Sequence, residues 1–168
     1  MIELRLAKVL MVASLALFAL IVATGNLADY GANFAFVQHV LSMDTTFPDS
    51  AIRWRAITSP PLWHLAYGLI ILGEALTGVA FAIGTVALGR ALRADAANFH
   101  AAKRWTVIGA TLGFLVWFTG FMVVGGEWFA MWQSAVWNGQ QPAFRFYLTI
   151  LAVLIFVTQA EGELRPRT

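Results

Sequence analysis

Apolar residues run along this chain in four long blocks, with two shorter segments of mixed character among them. The blocks cover 9–24, 62–88, 105–124 and 143–160. A helix needs about 20 residues to cross the hydrocarbon of a bilayer. Each block therefore predicts a membrane-spanning helix, the fourth with Arg145 reaching outward along its own stem. The mixed segments, 25–61 and 125–142, have a different rhythm. In "NFAFVQHVLSM" (33–43), Phe34, Phe36, Val37, Val40 and Leu41 gather on one side of a helix, opposite Ala35, Gln38, His39 and Ser42. That spacing predicts an amphipathic helix of about three turns. Asp44 and two threonines interrupt it, and Pro48 ends any continuation. Asp49 or Ser50 is placed to cap a short helix in "AIRWRAI", and Ser59 to cap the next, with Pro60 and Pro61 in its first turn. In "GGEWFAMWQSAVWNGQ", Trp128, Met131, Trp132, Ala135 and Val136 follow i, i+3, i+4, i+7, i+8, a second amphipathic helix closed by a turn at Asn138 and Gly139. The expected fold class is an all-α membrane protein. It is one integral membrane domain over 1–168, a four-helix transmembrane bundle whose outer, periplasmic face is capped by short amphipathic helices.

Composition agrees with that pattern. Of the 168 residues 60% are hydrophobic and 12% charged, about half the charged fraction of a soluble domain. Cysteine is absent, which excludes disulfides, thiolate metal sites, iron–sulfur clusters and thiol nucleophiles. A net charge of +2 with no basic run interleaved with aromatics argues against nucleic acid as a partner. The basic residues do set a direction. Arg5, Lys8, Arg90, Arg93, Lys103, Arg104, Arg165 and Arg167 fall on one side and Arg53, Arg55 and Arg145 on the other, eight against three. The excess marks the cytoplasmic side, so both termini and the 89–104 loop are expected there, and 25–61 and 125–142 outside. Arg5 and Lys8 before the first block, with Ala23, Thr24 and Gly25 after it, also fit a cleaved signal peptide. The length of the block and the three spans that follow favour a retained helix.

Candidate chemistry is sparse. Glu74 interrupts the second block, and counting about 1.5 Å per residue from Leu62 places it roughly 18 Å into the span. A carboxylate there is costly unless protonated, paired or hydrated. At similar depth the other blocks offer Ser14, Thr111, Trp117 and Thr158, none of them a cation. Glu74 is thus either a proton or ligand site, or a neutral acid hydrogen-bonded to a neighbouring helix. His39, His64, Asp44 and Glu127 could gather outside, but no H-x-x-x-H or E-x-x-H spacing demands a metal. A haem would need His39 and His64 at matched depth. No metal or cofactor is expected; haem and quinone stay as minor alternatives. Glu127 and Arg145, at the outer ends of the third and fourth blocks, are expected to lie close. Gly109 and Gly113 form a G-x-x-x-G face suited to close helix packing, inside the bundle or against a partner. The outer cap, with Phe36, Val40, Trp128, Met131 and Trp132, is either lipid-facing or a surface for another protein.

The segments "GNLADYGANFAFVQHVLSMDTTFPDSAIRWRAIT", "GGEWFAMWQSAVWNGQ" and "AFRFYLTILAVLIFV" resemble the predicted small integral membrane proteins grouped as domain of unknown function 2165. The likeness spans nearly the whole chain. It implies a four-span protein of the bacterial inner membrane and implies no catalytic role. With no serine-hydrolase elbow and no phosphate loop, the expected function is non-enzymatic: an accessory or stabilising subunit of a larger inner-membrane assembly such as a respiratory or photosynthetic complex. Its expected partners are the lipid bilayer and other integral membrane proteins, with a homo-oligomer as a further option. The alternatives are a small-molecule or proton-coupled transport component using Glu74, and a haem- or quinone-binding redox protein.

Overall fold

The computed structural model describes residues 2–162. In chain order the helices are α1 (Ile2–Ala28), α2 (Tyr30–Ser42), α3 (Pro60–Arg90), α4 (Ala96–Ala101), α5 (Arg104–Phe114) and α6 (Gln140–Thr158). Helix α5 runs on directly into a π-helix over Leu115–Trp128, and single 3-10 turns occupy Arg53–Arg55 and Met131–Gln133. Four stretches are long and apolar enough to cross a membrane: Ile2–Ala28, Pro60–Arg90, Ala96–Trp128 and Gln140–Thr158. The fold is an all-α membrane bundle, as the apolar blocks predicted. Among the described residues there is no strand.

The helices are longer than the blocks. Helix α1 begins before Arg5 and Lys8 and carries them inside it. Helix α3 has 31 residues, about 46 Å at 1.5 Å per residue, so it outruns a hydrocarbon core of about 30 Å. Its first turn is set by Pro60 and Pro61, and Ser59 stands at the N-cap as expected. The Ser59 carbonyl, not its side chain, accepts from the Leu62 and Trp63 amides.

The bundle has a basic end and an aromatic end. At the basic end Arg5, Lys8 and Lys103 are all buried around the carboxylate of Glu161. Lys103 Nζ lies 2.6 Å and Arg5 Nε 3.8 Å from it, and Lys8 Nζ donates to it directly. Backbone carbonyls take the remaining donors: Arg5 reaches Leu92, Ala94 and Gly162, while Lys8 and Lys103 both reach Gln159. The Arg5 guanidinium also sits 4.6 Å from the centre of the Phe99 ring, a favourable cation–π placement. Three of the basic residues counted toward the cytoplasmic excess are thus tied into a buried latch. Arg165 and Arg167 lie outside the described residues.

A buried apolar core joins the spans through Val12, Leu15, Phe81, Leu88, Trp117 and Ile150. Small residues let the helices close on it. A Cβ on Gly109 would come within 2.8 Å of the Phe81 ring, and one on Gly113 within 2.7 Å of Ile150. The G-x-x-x-G face is therefore spent inside the bundle, against α3 and α6. Leu10, Leu17, Leu69, Leu76, Leu148 and Ile155 remain exposed, which suits a lipid environment, where apolar side chains carry no exposure cost.

At the aromatic end a second core forms from Val37, Val40, Leu41, Met43, Tyr67, Ile71, Phe129 and Met131. Here α2 behaves as its pattern predicted, with Val37, Val40 and Leu41 buried and Phe36 packed beside them. Helix α2 ends at Met43, which takes a left-handed φ of 51°. The chain then folds back: Thr45 Oγ1 donates to Ser134 at 2.9 Å, Phe47 N to Gln133 at 3.0 Å, and Ile57 N to the Leu41 carbonyl at 2.8 Å. Two expected helices are absent. "AIRWRAI" makes only the turn Arg53–Arg55, with Ile52 rather than Asp49 or Ser50 at its N-cap position. The Trp-rich segment is not an amphipathic helix either. Trp128 closes the π-helix, Ala130 turns left-handed at φ 52°, and only Met131–Gln133 is helical beyond it. Of that predicted apolar face Met131 is buried, whereas Trp128, Trp132 and Val136 are exposed. The physical reason is local. Ser134 Oγ accepts from the amides of Val136 and Trp137, and Met131 Sδ from Gly139, so side chains replace the helical backbone bonds.

Candidate functional site

Glu74 lies on the face of α3 that packs on α1, and its residue is only 2% exposed. Asn26, in the last turn of α1, donates from Nδ2 to Glu74 Oε2 at 2.8 Å. Asn33 of α2 donates in turn to Asn26 Oδ1 at 2.7 Å. Tyr67, one α3 turn pair above Glu74, donates to the Asn26 backbone carbonyl at 3.4 Å. A chain of amides thus leads from the buried carboxyl to Asn33, which is exposed. Among the described residues Glu74 Oε1 has no hydrogen-bond partner.

Glu74 belongs to the wall of an open cavity of about 370 Å³ bordered by α1, α2, α3, the π-helix, residues 136–139 and α6. Phe36, Tyr67, Trp117, Phe121, Trp137 and Phe146 supply aromatic walls. Asn26, Asn33, Glu74 and Asn138 supply polar groups, and no Lys, Arg or His takes part. A second, almost wholly apolar cavity of about 300 Å³ lies beside it, lined by Val40, Leu41, Leu69, Val124, Phe129 and Met131 among others. Phe36, Val37, Ile70 and Phe121 belong to both walls. The π-helix contributes to each cavity. Its wider i→i+5 bonding reaches its end at Phe129 N to Val124 O, and Gly126 makes room for the Gln140 side chain of α6.

Glu74 stands midway along α3 (Pro60–Arg90), whereas its partner Asn26 is two residues from the end of α1. The middle of α3 thus lies beside the C-terminal turn of α1, while the first turns of α3 rise beside α2. None of Ser14, Thr111, Trp117 or Thr158 is the hydrogen-bond partner of Glu74. The Ser14, Thr111 and Thr158 hydroxyls all donate to carbonyls of their own helices.

The other predicted site residues divide into separate places. His39 bonds Asp44 through Nδ1 at 2.7 Å and stacks on Trp137 with ring centres 4.5 Å apart. His64 pairs with the Tyr30 hydroxyl at 2.9 Å and stacks on Phe34 at 4.2 Å. The two imidazoles belong to different ring clusters. Among the described residues no group of three His, Asp or Glu could hold a metal ion. Glu127 and Arg145 are both exposed and form no ion pair among the described residues. Glu127 instead borders a recess with Arg55 and Trp128, where the Arg55 guanidinium lies 4.5 Å over the Trp128 ring and donates to its carbonyl. Sequence reasoning missed Asn26, Asn33 and the Glu161 latch. An asparagine at the end of an apolar block signals a helix stop, and only the continuation of α1 to Ala28 gives Asn26 a place on the buried face.

A family model described as predicted small integral membrane protein (DUF2165) matches residues 4–160. No curated protein and no solved structure matches the chain.

Proposed function

The chain belongs to this family of small integral membrane proteins, and from that premise we propose that it is a non-enzymatic membrane protein that holds a small amphipathic molecule in the Glu74 cavity. One observation carries the reading: a buried glutamate with one carboxyl oxygen bonded by Asn26 lines an aromatic-walled space. Concave, mostly apolar spaces with a few convergent polar groups are the usual form of ligand sites. The exposed Asn33, Asn138 and Pro142 on its border give a route from the interface. The aromatic end faces the periplasm of a bacterial inner membrane in this reading, with both termini cytoplasmic, on the basic-residue asymmetry.

A second reading, an accessory subunit of a larger membrane assembly, is supported by a different feature. Trp54 is 73% exposed, and Phe47, Trp128 and Trp132 about half exposed, on one end of the molecule. Aromatic residues of this kind serve either interface anchoring or protein contacts. Native mass spectrometry after gentle extraction tests both. The binding reading expects a discrete small-molecule adduct that is lost in Ala32→Trp, which fills the cavity border. The subunit reading expects the mass of a second protein. Bare protein with neither adduct nor partner would sink both.

A further inference from the structure

Resting on the binding reading above, we propose that the Glu74 cavity selects organic cations: an ammonium group with an apolar body, the ammonium against Glu74 Oε1 and the body among the aromatic rings. Charge is the first argument. Glu74 is the lone carboxylate in the lining, and the cavity contains no basic side chain to neutralise it. The remaining polar groups are the amides of three asparagines and the Tyr67 hydroxyl. A negative charge so placed is stabilised best by a cation brought in from outside. An anionic ligand would meet only repulsion.

The aromatic walls are the second argument. The faces of Phe, Tyr and Trp attract cations, and rings grouped around a carboxylate form the usual receptor for alkylated ammonium groups. Six rings line this cavity. Trp117 is itself fixed by Phe18 and Phe146, with ring centres at 5.8 and 5.7 Å, and Trp137 by its stack on His39. Rings already held in place lose little freedom when a ligand arrives.

The third argument is the hydrogen bonding of the carboxyl. Asn26 donates to Oε2, and Asn33 holds Asn26. This relay occupies one oxygen of a residue that lines the cavity and leaves the other as an acceptor. A neutral carbonyl ligand such as a quinone would need a donor there. Asn26 already directs one amide hydrogen to Glu74 and its oxygen to Asn33. Accepting a cation requires no rearrangement of the relay.

The test compares three probes of similar breadth by equilibrium dialysis. The full chain is placed in phosphatidylcholine nanodiscs, with empty nanodiscs subtracted. The probes are benzyltrimethylammonium, its uncharged isostere neopentylbenzene, and duroquinone. The proposal expects saturable binding of the cation at least about tenfold tighter than of either neutral probe. Glu74→Gln is expected to abolish that preference, and Phe121→Leu to weaken the cation several-fold while changing neopentylbenzene little. The leucine variant keeps the proposal exposed to failure even if the glutamine variant misfolds. Equal or tighter binding of neopentylbenzene or duroquinone would overturn cation selection and leave the cavity reading standing. Absence of saturable binding for all three would overturn both. A cation preference that survives Glu74→Gln in folded protein would place the recognition elsewhere and refute the proposal.

Discussion

At Asn26 one amide serves two neighbours: Nδ2 donates to Glu74 and Oδ1 accepts from Asn33. Removing such a group from a buried pair costs more than the bond itself, because the partner keeps its desolvation penalty. Asn26→Leu is expected to lower stability in detergent by about 1–3 kcal/mol, read from the thermal or denaturant transition. Glu74→Gln should cost under about 1 kcal/mol, since the amide still accepts from Asn26. A double substitution, Asn26→Leu with Glu74→Leu, should cost less than the sum of those two leucine changes made singly. If the two leucine changes simply add, the bond is not coupling α1 to α3. Glu74 was legible from sequence because a charge in an apolar run stands out against the cost of burying it. Its partner was not, because Asn26 lies past the edge of the first apolar block and reaches the buried face only through the continuation of α1 to Ala28.

Among elements, the contact of α3 with α5 depends on having no side chain at particular points. A Cβ on Gly84 would lie 2.9 Å from Thr106 Oγ1 and 3.0 Å from the Thr106 backbone nitrogen. Backbone cannot move aside as a side-chain tip can, so Gly84→Ala should force the helices apart and cost about 1–3 kcal/mol. Gly68, on the same helix α3, has nothing within 4 Å of such a Cβ. Gly68→Ala should be neutral or stabilising by up to about 1 kcal/mol. Equal effects of the two substitutions would show that helix propensity, not packing, governs these positions. The spacing of Gly109 and Gly113 announced close approach, but a spacing carries no information about which neighbour approaches. Helix α2 was legible over most of its length, though it begins three residues before Asn33, at Tyr30, because its pattern runs unbroken from Phe34 to Leu41. The 127–137 segment showed an equally regular pattern and yet broke at Ala130. Side-chain acceptors at Met131 and Ser134 decide it, and periodicity does not register them. Nor does a 3.6-residue template register the π-helix that precedes the break.

On the scale of the whole molecule the two ends are tied by different chemistry. At the basic end Glu161 holds three cations from α1 and the start of α5, and so binds the chain after α6 to the rest. Burial pushes its carboxyl up, but the ammonium groups of Lys103 and Lys8 more than offset that and hold it below its ordinary value of 4.5. With the folded value depressed, the latch contributes its full stability above about pH 4.5 and loses it as pH falls through the lower, folded value. The thermal transition should therefore drop on acidification below pH 4.5, and Glu161→Gln should remove that component while costing on the order of 3–5 kcal/mol at neutral pH. An unchanged acid profile in the variant would mean that Glu161 is not the titrating group. Orientation is tested at the same scale. With single cysteines at Asp49→Cys and Ala97→Cys, both exposed positions, an impermeant reagent applied to intact cells should label the first and spare the second. The reverse result would invert the bundle. The partition between the two cavities has a final consequence. Phe36 and Phe121 stand with ring centres 6.0 Å apart and nearly parallel, each facing both spaces. On the binding reading proposed above, a ligand whose tail outgrows the first space would have to displace these rings to reach the apolar one, so binding strength plotted against tail length is expected to rise in two steps instead of one smooth slope.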